Sequence, residues 1–316
     1  MFKRILTMIF YGVSMIFFAT VVIFVISSIE WPLRNDLPKK EIVSSGYKFL
    51  IFGNQNFKGL ELYDFESGKF KPFLVPENNA IRYVEPVIGE SGKGYCIKEE
   101  NPFDLKNRKD EIITFDMKTL EKRCTRTVIR QKYANLAISS DEKRLAFIFS
   151  PTDNNIPLLG LYDTVKEKIE KAFPIDRSFF ENPIKILWKP DNKSIVIWTT
   201  LANGPPAIEF DIELGSSYKI DNFPLAYKHE YMLAMDDKKE SVYLLNLESG
   251  NKETLIKKNV TGHSFSLSRD GKYFVYGWLR GIGGFEILTI MDIKTKRELQ
   301  ISLKKHPSTV SGLALW

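Results

Sequence analysis

LYDFESGKF, residues 62–70, decides the fold, because its pattern returns in TFDMKTLEK (114–122), LYDTVKEKI (161–169), EFDIELGSS (209–217), LLNLESGNK (244–252) and IMDIKTKRE (290–298). Each copy sets an Asp or Asn after an apolar stretch and before a polar turn: Asp64, Asp116, Asp163, Asp211, Asn246 and Asp292. The anchors are 52, 47, 48, 35 and 46 residues apart. A four-stranded propeller blade repeats about every 40 to 50 residues, so six anchors predict six blades. The fold class expected is all-β, a six-bladed β-propeller.

A second element repeats at another place in each unit. AISSDEKRLAFIF (137–149), LWKPDNKSIVIW (187–198) and SLSRDGKYFVYGW (266–278) join two apolar strands through a turn with Asp two residues before Lys. VIGESGKGYCI (87–97) puts Ser91 in the Asp position, and LAYKHEYMLAM (225–235) puts Glu230 there. Short polar side chains at such positions accept hydrogen bonds from backbone N–H groups two residues on, and Gly supplies positive φ. Each unit is thus expected to hold two tight hairpins.

With both elements in register, residues 47–316 resemble the TolB-type and WD-repeat-like propellers, whose blades carry a similar SPDGK turn and a downstream Asp before a second hairpin. The resemblance implies the fold and no more.

The repeat register also predicts how the ring closes. GLALW, residues 312–316, falls where KILW ends at Trp188, so the chain stops at the turn after an innermost strand. The C-terminal strand is expected to complete the first blade, begun by residues 47–75, which removes an open sheet edge.

Ahead of the propeller, Ile5 to Ile29 are 25 consecutive uncharged residues, flanked by Lys3 and Arg4 before and by Glu30 and Trp31 after. A membrane-spanning helix needs about 20 predominantly apolar residues, whereas the core of a cleavable signal is about 7 to 15. Residues 1–29 therefore read as a single transmembrane signal-anchor, with the propeller extracytoplasmic, periplasmic or extracellular. Residues 30–46, with Pro32, Pro38 and six charged side chains, read as a tether.

The net charge is +6 over 316 residues, and residues 1–46 contribute +2 of it, leaving +4 on the propeller. That is too mild to point to nucleic acid, and no base-reading module is present in the sequence. The two cysteines, Cys96 and Cys124, fall on the second strand and near the fourth of one blade. Strands lie about 4.8 Å apart, which puts such positions beyond disulfide reach. Two thiols are expected.

The connections within each hairpin pair are tight, while those between second and third strands and between blades are long, and the long ones share one face. Loops released from scaffold duty carry function. Binding candidates on that face are Phe103, Arg108, Arg177, Phe179 and Arg280, since aromatic and Arg side chains anchor interfaces. Lys106, Lys109 and Phe180 stand beside them. His263 and His306 precede inner strands and are further binding candidates near the channel mouth; His229 lies in a hairpin turn. No third ligand at a characteristic spacing accompanies the histidines, so neither a metal nor a cofactor is expected.

GESGKG, residues 89–94, imitates a phosphate loop, but Val87 and Gly94 stand where that loop needs Gly and Ser or Thr. HExxH, GxSxG and zinc-spaced Cys pairs are missing from the sequence. The function expected is a non-catalytic module binding a protein or an envelope polymer through the long-loop face. The alternative is a cell-envelope hydrolase, lyase or cyclase whose site at the channel mouth draws on loop carboxylates such as Glu99, Asp104, Asp110 and Asp153.

Overall fold

The computed structural model describes residues 15, 33–54, 59–102, 104, 108–129, 134–150, 156–177, 184–199, 207–221, 223–236, 241–256, 265–280, 285–303 and 310–316. They form six four-stranded antiparallel sheets. Blade one holds β1 (Phe49–Asn54), β2 (Gly59–Asp64) and β3 (Lys69–Leu74); blade two holds β4 (Ile81–Ile88), β5 (Lys93–Glu100), β6 (Lys109–Asp116) and β7 (Lys122–Ile129). Blade three runs through β8 (Ala134–Ile138), β9 (Arg144–Phe149), β10 (Leu158–Asp163) and β11 (Lys168–Pro174), and blade four through β12 (Ile184–Trp188), β13 (Ser194–Thr199), β14 (Ile208–Asp211) and β15 (Ser216–Lys219). Blade five comprises β16 (Phe223–Lys228), β17 (Tyr231–Met235), β18 (Val242–Asn246) and β19 (Lys252–Ile256); blade six comprises β20 (Phe265–Leu267), β21 (Tyr273–Arg280), β22 (Phe285–Asp292) and β23 (Glu298–Ser302).

The final strand, β24 (Val310–Leu315), joins blade one as its innermost strand, in the order β24-β1-β2-β3. Leu50 faces Leu315 and Ile51 faces Ala314 across this pairing. The expected closure is therefore observed. Inner strands touch in the cyclic order β24, β4, β8, β12, β16, β20 and back to β24, so blades two and five stand opposite each other across the channel.

Each strand's composition follows its place in the blade. β13, SIVIWT, is buried at every position because neighbouring blades cover both of its faces, whereas the outermost β15, SSYK, is exposed throughout. Middle strands thus read as apolar runs and outer ones as polar.

The six anchors do one job. The Oδ1 atoms of Asp64, Asp116, Asp163, Asp211 and Asn246 accept from the backbone N–H groups two and three residues on, at 2.6–3.2 Å, and Asp292 accepts from Thr295 at 2.8 Å. Four residues beyond each anchor φ is positive: Gly68, Leu120, Glu167, Gly215, Gly250 and Lys296. In the other hairpin Asp141, Asp191 and Asp270 accept from Lys143, Lys193 and Lys272 at 2.8–3.1 Å, and the Ser91 hydroxyl accepts from Lys93 at 3.2 Å. GESGKG is accordingly a hairpin turn, closed by Gly89 N–H to the Lys93 carbonyl at 2.9 Å. A Cβ on Gly92, whose φ is +96°, would come within 2.8 Å of the Trp316 ring.

Residues 33–46, read from sequence as a tether, are folded against the ring. Asn35 bridges to Leu299 in antiparallel sense, Arg34 accepts from Gln300 N–H at 2.9 Å, and Leu37 donates to Glu298 at 3.0 Å, so the segment covers the outer edge of blade six. A short helix, α1 (Lys39–Ser44), follows Pro38. Leu37 and Ile42, both 0 % exposed, enter the core shared by blades one and six beside Tyr47, Tyr63 and Tyr273. Two apolar side chains at this spacing outweigh a polar composition once a bare sheet edge is there to receive them. Residues 5–29, the expected span, lie outside the described residues apart from Met15. Among the described residues no helix is long and apolar enough to cross a membrane.

Cys96 is a buried thiol. The register sets Cys96 and Cys124 on either side of Ile113, with one strand between them, as the sequence implied.

Candidate functional site

The central channel is the concave feature that all six blades build. Its tight-turn mouth opens into a cavity of about 420 Å³, lined by Trp188, Tyr227, Lys228, His229, Arg269 and Trp316 together with the first hairpin turns of blades two to six. Contacts between blades knit this rim. Lys228 of blade five pairs with Glu90 of blade two. Ser91 donates through its N–H to Glu142 of blade three at 2.6 Å, and Ser140 donates to Asn192 of blade four at 2.8 Å. The Arg269 guanidinium lies over the Trp316 ring, 5.3 Å from its centre. Lys189 is held by Glu209 at 2.8 Å. The mouth therefore sets the Tyr227 and Trp316 rings beside Lys189, Lys228 and Arg269, with each lysine held by a carboxylate.

Deeper in, a second cavity of about 230 Å³ is bounded by the inner strands. Glu85 and Lys185 both line it. Each keeps some accessible surface on the wall of this cavity. Glu85 owes its position to a β-bulge: the register of β4 against β5 breaks between Val84 and Val87, so Glu85 and Pro86 together face Cys96. Its φ is +55°, and among the described residues no other non-glycine residue inside a strand has positive φ. Such a conformation costs about 1–3 kcal/mol and persists where surrounding structure enforces it. Burial raises the Glu85 pKa and lowers that of Lys185, while the charge of each partly offsets the shift of the other.

Phe103, Phe179, His263 and His306 lie outside the described residues, as do Lys106, Phe180 and Asp153. Arg280 ends β21 opposite Phe285, and its side chain is likewise outside them. Arg177 is exposed just beyond β11, and Lys109 is exposed at the start of β6.

Arg108 differs from expectation. It is 6 % exposed, and its guanidinium is enclosed by Glu99 at 2.7 Å and Asp110 at 2.9 Å, themselves 3 % and 1 % exposed. Arg82 pairs with the other Glu99 oxygen. Arg82, Glu99 and Asp110 stand side by side on β4, β5 and β6 in direct register, and Arg108 caps them from the loop. Sequence reading missed this because NRKDE looks like a solvated charge run, whereas three adjacent strands converge on it. Burial pushes the Asp110 carboxyl up to about 7 against the pull of Arg108, with Glu99 adding to the rise. Two carboxylates weighed as loop catalysts, Glu99 and Asp110, thus hold the blade together. Asp104, a third, is exposed.

No protein-family model and no curated protein sequence matches the chain. Solved structures do. TolB from Acinetobacter baumannii matches with a TM-score of 0.62 at 16 % identity, over 87 % of this chain and 69 % of that one. A chain of the nidogen/laminin complex matches at 0.58 and 12 % identity, over 84 % and 97 %. Puromycin hydrolase, as its S511A mutant complexed with PGG, matches at 0.52 and 14 % identity, over 87 % of this chain and 47 % of that enzyme. At these identities the likeness establishes the propeller fold, with the TolB-type resemblance among its forms.

Proposed function

We propose that this protein is a non-catalytic binding module, held at a membrane by residues 1–29 with its propeller on the extracytoplasmic side, that receives a protein or envelope polymer at the tight-turn mouth of the channel. The observation carrying this reading is the 420 Å³ cavity lined by Trp188, Tyr227, Trp316 and Arg269. The expectation from sequence was the opposite, long-loop face.

The path of residues 33–46 favours the change of face. β23 leaves the tight turn at Glu298 and runs towards the long-loop side, and the N-terminal segment pairs with it in antiparallel sense, Leu37 beside Glu298 and Arg34 beside Gln300. Followed backwards, the chain rises along blade six towards the long loops, with only residues 30–32 left before the proposed anchor. The long-loop face then turns to the bilayer and the tight-turn mouth turns away from it. One of the similar structures, the nidogen/laminin complex, is itself an assembly of two proteins, which supports a protein partner.

Crosslinking capture from native membranes tests the reading with the full chain and two charge-reversed variants. Arg269→Glu with Lys189→Glu alters the mouth, and Arg177→Glu with Arg280→Glu alters the long-loop face. Capture lost only with the mouth pair is expected. Loss only with the second pair moves the partner to the long-loop face, and capture indifferent to both rejects a binding module built on either surface.

A further inference from the structure

We infer that the channel interior is a binding site for a small zwitterion of single amino-acid size, its ammonium group taken by Glu85 and its carboxylate by Lys185. Three observations converge. The cavity the two residues line is about 230 Å³, below the range of about 300–1,000 Å³ typical of drug-sized ligands, which sets the size. Glu85 and Lys185 are an acid and a base on one cavity wall, and among the described residues neither makes a hydrogen bond or an ion pair; burial favours the neutral form of each, so a ligand bearing both charges would draw the two into their ionised forms. Buried charges ordinarily pair, and a ligand with both charges would satisfy the two without changing the net charge of the site.

The third observation is the backbone. Glu85 takes a positive φ immediately before Pro86, a position where neighbouring ring sterics already narrow the choices, inside a bulge that turns it from the ladder. A propeller strand gains nothing from this distortion by way of pairing, since two residues give up their ladder partners. What it achieves is placement of a carboxylate on the channel wall. Leucine and alanine side chains from neighbouring inner strands, Leu187, Leu225 and Ala137, supply the apolar surround that strengthens charged contacts.

The site lies deeper in the ring than the mouth proposed to receive a macromolecule and shares Trp188 and Tyr227 with it, and its test reads a small ligand and not a captured partner. The full chain is titrated calorimetrically at neutral pH with ω-amino acids from glycine to 6-aminohexanoate, beside butylamine and butyrate, which carry one charge each. Saturable binding of at least one ω-amino acid is expected, with a preferred chain length, and with neither single-charge compound matching it. Glu85→Gln and Lys185→Met should each weaken binding by about tenfold or more. Leu187→Phe, which narrows the channel and leaves both charges, should weaken it too; this variant keeps the test decisive if a charge substitution prevents folding. Binding that survives all three variants, equal binding of butylamine or butyrate, or no binding of any ω-amino acid overturns the inference.

Discussion

Lys228 of blade five pairs with Glu90 of blade two across the tight-turn mouth, joining blades that stand opposite one another in the ring. Most interblade contacts link neighbours, so this one narrows the mouth and adds little to the seams. Glu90 is half exposed, and exposed ion pairs contribute about 0.2–1 kcal/mol. A double-mutant cycle with Glu90→Gln and Lys228→Met, read by urea unfolding, should give a coupling below about 1 kcal/mol that shrinks with added salt. A larger, salt-insensitive coupling would identify the pair as a structural strut.

The cluster around Arg108 should behave in the opposite way. Arg108→Ala leaves Glu99 and Asp110 buried with one guanidinium fewer, and breaking such a network costs about 3–5 kcal/mol. Chemical denaturation should report a loss of that order. A loss below about 1 kcal/mol would mean that water reaches the cluster and replaces the Arg.

Asp110 also gives the protein a pH dependence with a definite sign. In the folded chain burial raises its pKa to about 7 from an ordinary 3.8, so between these values the folded state holds a proton that the unfolded chain has released. Stability from this group is complete below the lower value and is lost as pH rises through the upper one. Glu85 acts in the same direction. The urea midpoint should fall between about pH 5 and pH 8, and Asp110→Asn should flatten the fall. A midpoint that rises over this range contradicts the assignment.

The N-terminal segment should be part of the folding unit. Leu37→Ala removes a fully buried side chain from the core of blades one and six, where such truncations cost about 2–5 kcal/mol. Arg297, paired with Glu41 over α1, fastens the same segment from outside. Thermal unfolding of Leu37→Ala should show one cooperative transition at lower temperature. An unchanged midpoint would return residues 33–46 to the status of a tether.

Leu120, Glu167 and Lys296 hold positive φ in hairpin turns where Gly68, Gly215 and Gly250 stand in other blades. A left-handed L residue costs about 1 kcal/mol or more, and Gly gives part of this back as unfolded-state entropy. Leu120→Gly, at an exposed turn, should raise stability by a few tenths to about 1 kcal/mol, seen as a higher unfolding midpoint. A lower midpoint would show that the leucine side chain contributes packing that outweighs the relief.

The repeat told the architecture because each blade needs the same local chemistry. Asp64 and its five counterparts recur since six hairpins need a side-chain acceptor for the same backbone N–H groups, and local hydrogen bonds of that kind are legible in sequence. Ring closure by residues 310–316 followed from the same register. The channel did not announce itself. Glu85 and Lys185 are 100 residues apart, and nothing local distinguishes them from surface charges; only the circular order of β4 and β12, with a bulge in one, brings both to a shared cavity. Arg108 was misread for the same reason, since burial is a property of what packs around a side chain. Sequence by itself determined the elements and their repeat. Tertiary structure alone decided which charges face water, which face each other and which face the channel, because those outcomes depend on strands that meet only when the ring closes.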